Sequence, residues 1–273
     1  LIDHDNLEEF ADPRIYDLED SSDTGVEFYA SLARETCGPV LEVACGTGRV
    51  AIPIARMGLA VTGVDIVPGM LARARAKSAG LPVRWIQGDA RSFNLGEQFR
   101  LVFMTGNAFQ AFLTRIDQEA LLERVRAHLN DDGLFAFETR NPRWAASRKT
   151  DSSRPEQAPG PEQGSFALLE TRNEEEHRRT YTDPDGREVR TSKTQVYDHT
   201  AQVLHWTTYR RWREGASQRT RITRIAVRYT FPQELDALLH RSGFAITRQY
   251  GDWNRAPLTA DSYSIISVCR KRI

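Results

Sequence analysis

VLEVACGTGRV, residues 40–50, begins as an apolar run and breaks into a turn with two closely spaced glycines, Gly46 and Gly48. The run PVLEVA reads as a buried strand, and RVAIPIARMG behind it as a helix closed by Gly58. Glycine between them lets the backbone turn sharply and approach a ligand with no Cβ in the way. The helix start offers unpaired N–H groups to an anionic group. GTGRVA also satisfies the dinucleotide fingerprint G-x-G-x-x-G/A, with Ala51 third, so a nicotinamide dehydrogenase is a rival from the outset.

Working outward, AVTGVDI, VRWIQGDA, RLVFMTGNAF and LFAFETR read as further strands. GMLARARAKSAG and IDQEALLERVRAHLNDDG read as helices, the second with a stop signal in NDDG. Alternation of nearly continuous apolar strands with helices predicts an α/β fold, a doubly wound Rossmann-like and mostly parallel sheet covered on both faces. The pattern changes after Asn141. DSSRPEQAPGPEQG, residues 151–164, is rich in proline, glycine and charge and reads as a loop or linker. From Phe166 to Tyr229, DPDG, DHTA and EGAS separate four strand-like runs, which predicts an inserted antiparallel β meander. In VLHWTTYRRW, Leu204, Trp206, Thr208 and Trp212 share one face, and Val203, His205 and Tyr209 the other. PQELDALLHRSG then reads as a helix, and FAITRQY and SYSIISVCRK as two strands. The expected organisation is one α/β domain over 1–145 and 230–273, interrupted by a sheet subdomain over 165–229 that serves as substrate lid or dimer interface.

Three carboxylates discriminate between ligands. Glu42 lies in an otherwise apolar strand beside the glycine turn, where it disfavours a pyrophosphate and suits an ammonium or sulfonium. Asp65 ends the second strand, placed to accept from both ribose hydroxyls. Asp89, in QGDA, ends the third and can accept from an adenine amine beside the N–H of Ala90. Acids at three successive strand ends describe an adenosine with a zwitterionic tail and fit a dinucleotide poorly.

On VLEVACGTGR, VTGVDIVPGML, GDA and LVFMTGNAFQ the chain resembles the class I S-adenosylmethionine-dependent methyltransferases, well over about residues 15–142 and loosely over about 230–272. The resemblance implies S-adenosyl-L-methionine as cofactor. It implies that Glu42, Ala44, Gly46 and Gly48 line its methionyl part, that Asp65 holds the ribose and that Ile66 and Met70 flank the adenine. Asp89 and Ala90 would read the adenine edge, and Thr105 would lie beside the sulfonium. Tyr16, in YDLED, resembles a tyrosine that caps the cofactor; its plainer reading is a surface aromatic. The family usually has glycine where this chain has Ala44. TGNAFQAF, ETRNP and the meander look like methyltransferases of small molecules, with those acting on amino sugars and glycine-type amines closest.

Methyl transfer chiefly needs the acceptor held at near-attack distance. An oxygen acceptor needs a base or a metal, while an amine need only arrive unprotonated. No histidine sits in the cofactor motifs and no metal-spaced His/Asp cluster stands out, so an amine nitrogen is the expected acceptor. O-methylation of a small hydroxylated metabolite and non-catalytic adenosine-ligand binding are the alternatives. Candidates around the acceptor are Tyr16, from the N-terminal segment, and Asn107, Gln110 and Arg140, which leave strand ends on the ligand side together with Phe109, Glu138 and Asn141. Arg140 suits a substrate carboxylate or a surface acid. Cys45 reads as small packing, His199, His205 and His240 as solvated or packing histidines, and RNEEEHRR as a solvated strand or turn. Trp206, Tyr209 and Trp212 read as a packing face, an acceptor lid or a homodimer interface.

The 273 residues carry 37 Lys plus Arg against 37 Asp plus Glu, so no basic surplus calls for nucleic acid. Three cysteines cannot all pair, and LIDHDNLEEF is acidic where a secretory leader is basic; a reducing, cytoplasmic location is expected.

Overall fold

The computed structural model describes residues 6–143 and 169–272; the predicted linker at 151–164 lies outside them. The first sheet is built from β1 (Val40–Val43), β2 (Val61–Asp65), β3 (Val83–Gln87), β4 (Phe99–Met104), β5 (Leu129–Arg140), β10 (Phe244–Tyr250) and β11 (Ser264–Lys271). Their order is β10-β11-β5-β4-β1-β2-β3. The strands from β1 to β5 pair in parallel, while β11 runs antiparallel to both β5 and β10. Strand order reverses at β1, where right-handed crossovers send β2 to one side and β4 to the other. A crevice must open there at the carboxyl ends.

Each face is sealed by its own apolar cluster. One gathers Leu32 and Phe28 of α2 (Val26–Thr36), Ile54 of α3 (Ala51–Arg56) and Leu71 of α4 (Pro68–Lys77). The other gathers Leu121 and Val125 of α5 (Arg115–His128), Leu235 and Leu239 of α6 (Pro232–Arg241), and Phe135, Phe137 and Phe244. Each fully buried side chain of this kind contributes about 1.5–3 kcal/mol. NDDG, expected to stop α5, instead begins β5: Leu129 already pairs with Phe99, and a register shift follows between Phe99 and Leu101. Pairing with a neighbouring strand overrides the local turn preference of those four residues.

The second sheet is the antiparallel meander β6 (Arg172–Thr182), β7 (Glu188–Asp198), β8 (Val203–Glu214) and β9 (Ser217–Arg228). RNEEEHRR is the largely exposed edge strand β6. Leu204 and Trp206 are buried with Tyr197, Val227 and Tyr229 in a third cluster. The N-terminal segment, ending in α1 (Pro13–Glu19), is fastened to this sheet. Asn6 reads the edge of β9 through both the carbonyl of Ala226 (3.0 Å) and its N–H (2.7 Å). The Arg210 guanidinium, nearly closed off from solvent, bridges Glu9 at 2.6 Å and Glu19 at 2.6 Å. Such a buried ion pair adds little net stability but specifies one arrangement, because shifting it strands a charge. It sets the N-terminal segment across the mouth of the crevice.

Candidate functional site

A cavity of about 660 Å³ opens at the carboxyl ends of β1, β2, β3 and β4. Its floor is the glycine turn. Ala44, Gly46 and Gly48 all have positive φ, at 57°, 53° and 79°. A Cβ on Gly46 would stand 3.7 Å from Met70 and 4.0 Å from Tyr16, so glycine keeps open the space between those side chains. A Cβ on Gly48 would instead meet Trp85 at 2.6 Å, a packing requirement. Alanine in the left-handed region is strained. Ala44→Gly is therefore expected to stabilise the protein by up to about 1 kcal/mol, partly offset by unfolded-chain entropy. A thermal melt should read this as a rise of about 2–4 °C.

Asp65 takes the N–H of Gly46 on one carboxylate oxygen at 2.7 Å and that of Val67 on the other at 2.9 Å. It thus fixes the glycine turn while facing the cavity, and burial raises its pKa above the usual carboxylate range. A carboxylate has about four acceptor positions, so two remain for ligand hydroxyls. Asp89 also lines the cavity, but its carboxylate is gripped by the Arg91 guanidinium at 2.6–3.0 Å. Arg91 holds the Asp89 pKa below the usual range and reaches on to Asp117 at 2.9 Å. Ala44, Ile66, Met70, Ala90 and Thr105 lie in the same wall, and Tyr16 of α1 closes it together with Phe10.

Glu42 is placed differently from the expectation of direct contact. Only 1 % exposed, it lies beneath the turn and takes the Ala51 N–H at 2.9 Å and the Thr105 hydroxyl at 3.0 Å. Burial pushes its pKa up to about 8. Glu138, on β5, is equally buried, accepts from the Tyr29 hydroxyl and from the Asn107 N–H at 3.5 Å, and is likewise raised by burial. Two carboxyls thus lie under the wall at Thr105–Gly106, and only Thr105 relays Glu42 to the cavity.

The acceptor candidates separate. Gln110 is buried and fully committed: its amide donates to the Arg228 carbonyl at 3.1 Å, and its oxygen accepts from the Arg140 N–H and guanidinium, both at 3.2 Å. Asn107 sits in the left-handed region at the end of β4, with a buried side-chain oxygen that has no partner. The Arg140 guanidinium lies over the Trp206 ring, 5.1 Å from its centre. Phe109 packs on Phe137, and Asn141 ties down the Ser262 carbonyl at 2.9 Å, so both are structural. Cys45 is buried, His199 meets the Tyr197 ring edge-on, and His240 is exposed on α6. His205 does line the cavity, along with Asp198 and Val203 of the meander. Arg49, Arg91, Phe10 and Asp198 belong to the wall without having been singled out in the sequence. Arg49 follows Gly48 directly and the pair Asp89–Arg91 had a local signal in its spacing, whereas Phe10 and Asp198 arrive through tertiary contact.

This fold and site are similar to those of class I S-adenosylmethionine-dependent methyltransferase domains. Residues 40–133 match the methyltransferase domain family. The dTDP-3-amino-3,6-dideoxy-alpha-D-glucopyranose N,N-dimethyltransferase of Streptomyces fradiae is 32% identical over 99 residues, 36% of this chain and 38% of that protein. The chain spans about two fifths of the length of the curated relatives it matches. Among solved structures, the CcbJ methyltransferase of Streptomyces caelestis superposes with a TM-score of 0.77 at 24% identity, covering 99% of this chain and 100% of that one. SAM-bound CalS10, an amino pentose methyltransferase of Micromonospora echinaspora, gives 0.67 at 19% identity, covering 94% and 95%. Among the described residues no helix is long and apolar enough to cross a membrane.

Proposed function

We propose that this chain transfers a methyl group from S-adenosyl-L-methionine to the nitrogen of a small amine. The observation that carries the reading is the single cavity in which Asp65, Asp89 and Thr105 meet across the space Gly46 keeps free. Asp65 would accept from the ribose, Asp89 and the Ala90 N–H would read the adenine edge, and Ile66 and Met70 would hold its faces. Thr105, backed by buried Glu42, would stand nearest the positive charge, and Tyr16 and Phe10 would exclude water. When bound, the cofactor supplies an electrophilic methyl group whose sulfur departs as a neutral thioether. The chain then has only to hold a neutral nitrogen in line, a positioning effect worth up to about 7–11 kcal/mol. The activities of the S. fradiae relative and of CalS10, both on amino sugars, support nitrogen as acceptor.

His205 in the cavity wall supports a second reading, O-methylation, in which that imidazole takes the hydroxyl proton. Incubation with isotope-labelled cofactor and a panel of small amines and hydroxylated metabolites, followed by mass spectrometry, separates the two. Label on nitrogen, with a rate that climbs as the amine loses its proton, is expected. Label only on oxygen, lost in His205→Ala, would establish the second reading, and cofactor binding without any labelled product would overturn both.

A further inference from the structure

On one face of the meander two cations flank a single indole. The Arg140 guanidinium lies 5.1 Å from the centre of the Trp206 ring and the Lys193 ammonium 5.7 Å from it. Lys193, Gln195 and Trp206 project from the same face, because Gln195 pairs across the strands with Trp206 and Lys193 with Thr208. Gln195 also anchors the indole N–H at 3.0 Å. Several cations of this sheet find acids: Arg172 with Glu170, Arg187 with Asp183, Arg210 with Glu9 and Glu19, Arg211 with Glu175, Arg228 with Glu234. Arg140 and Lys193 reach no carboxylate at ion-pair distance among the described residues. The acids nearest Lys193 in charge, Glu9 and Glu19, are bonded by Arg210.

Beside them lies an unsatisfied donor. Tyr229 is completely buried, its hydroxyl has no partner, and its charged neighbour is Arg140. A buried hydroxyl without a partner costs about 1–3 kcal/mol, while Arg140 and Lys193 are each half-buried. An anionic group that enters would accept from the hydroxyl and pair with both cations. Arg140 follows Phe137 by three residues on β5, and Phe137 pairs with Met104, next to Thr105 in the cavity wall, while Trp206 projects from the face of β8 opposite to Val203 and His205, which line that cavity.

We infer that Arg140, Lys193 and Tyr229, set around Trp206, form a subsite for an anionic group of the acceptor, a carboxylate or phosphate remote from the methylated nitrogen. The inference rests on the methyltransferase reading for the word acceptor, but the subsite binds its anion whether or not methyl transfer occurs. The meander thereby selects the substrate as well as covering it, and neutral amines are poor acceptors.

The test uses the full chain saturated with S-adenosylhomocysteine, at constant ionic strength, with calorimetry and indole fluorescence as readouts. N-acetylglycine, its neutral amide and inorganic phosphate are the probes. Saturable binding of N-acetylglycine or phosphate, absent for the amide, is expected; the tighter of the two identifies the anion. Arg140→Gln and Lys193→Met should each weaken it about tenfold or more, with S-adenosylhomocysteine affinity unchanged as proof of an intact fold. Arg140→Lys should recover part of the loss. No saturation by either anion up to about 50 mM, equal binding of the amide, or undiminished binding in both variants overturns the subsite. Absence of homocysteine-ligand binding would instead strike the methyltransferase reading.

Discussion

Asp65→Ala is expected to weaken S-adenosylmethionine binding at least about 100-fold in a calorimetric titration. Two hydrogen bonds from ligand hydroxyls to a carboxylate contribute about 1.5–3 kcal/mol each, and a factor of ten corresponds to 1.4 kcal/mol. The substitution also frees the N–H groups of Gly46 and Val67, which Asp65 holds at 2.7 and 2.9 Å, so the glycine turn loses its anchor. Asp65→Asn should fall between, since one amide oxygen can satisfy only part of this set. Equal affinity in the alanine variant would remove the nucleoside from this cavity.

The second large effect concerns Glu42 and pH. Burial raises its carboxyl from an ordinary value of 4.5 to about 8. Between those values the folded chain holds a proton that the unfolded chain has lost, so stability is greatest at the acid end and falls as pH rises through the window. A shift of that size corresponds to about 4–5 kcal/mol. Glu42→Gln keeps the acceptor for the Ala51 N–H and a partner for Thr105 but carries no charge. Denaturant unfolding should therefore find the variant equal to the parent near pH 5 and more stable by a few kcal/mol at pH 8.5. Glu138 and Asp65, also raised by burial, leave the variant with a smaller residual slope in the same direction. A positively charged ligand favours the ionised carboxylate, so cofactor binding to the parent should release a proton near pH 7 and strengthen toward pH 8. An unchanged pH slope in Glu42→Gln would assign the titration elsewhere.

Much of the architecture was legible because it is local. The glycine spacing at 46 and 48, apolar strands of four to six residues and helix-period runs each declare themselves within a dozen residues. Crossover handedness then brings the carboxyl ends of β1, β2, β3 and β4 together, so Asp65, Asp89 and Thr105 can be named from the sequence. NDDG misled because its turn chemistry is read locally, whereas β5 is set by pairing with β4.

Other features depend on partners far along the chain. Nothing near Glu42 says whether it faces the cavity or lies under it; the hydrogen bond from Thr105, sixty-three positions on, decides. Gln110 sits at a rim by spacing, yet contacts with Arg140 and Arg228 turn it inward. Asn6 and Glu9 draw α1 over the crevice by bonds to Ala226 and Arg210, about two hundred residues distant. The sequence by itself determined the parallel α/β sheet, the glycine turn and the strand-end acids, because these follow from period, handedness and short-range turn geometry. Only the tertiary structure decided which carboxylates are buried, how the N-terminal segment closes the cavity and which cations meet at Trp206, because desolvation and charge pairing depend on neighbours that the chain order does not place together.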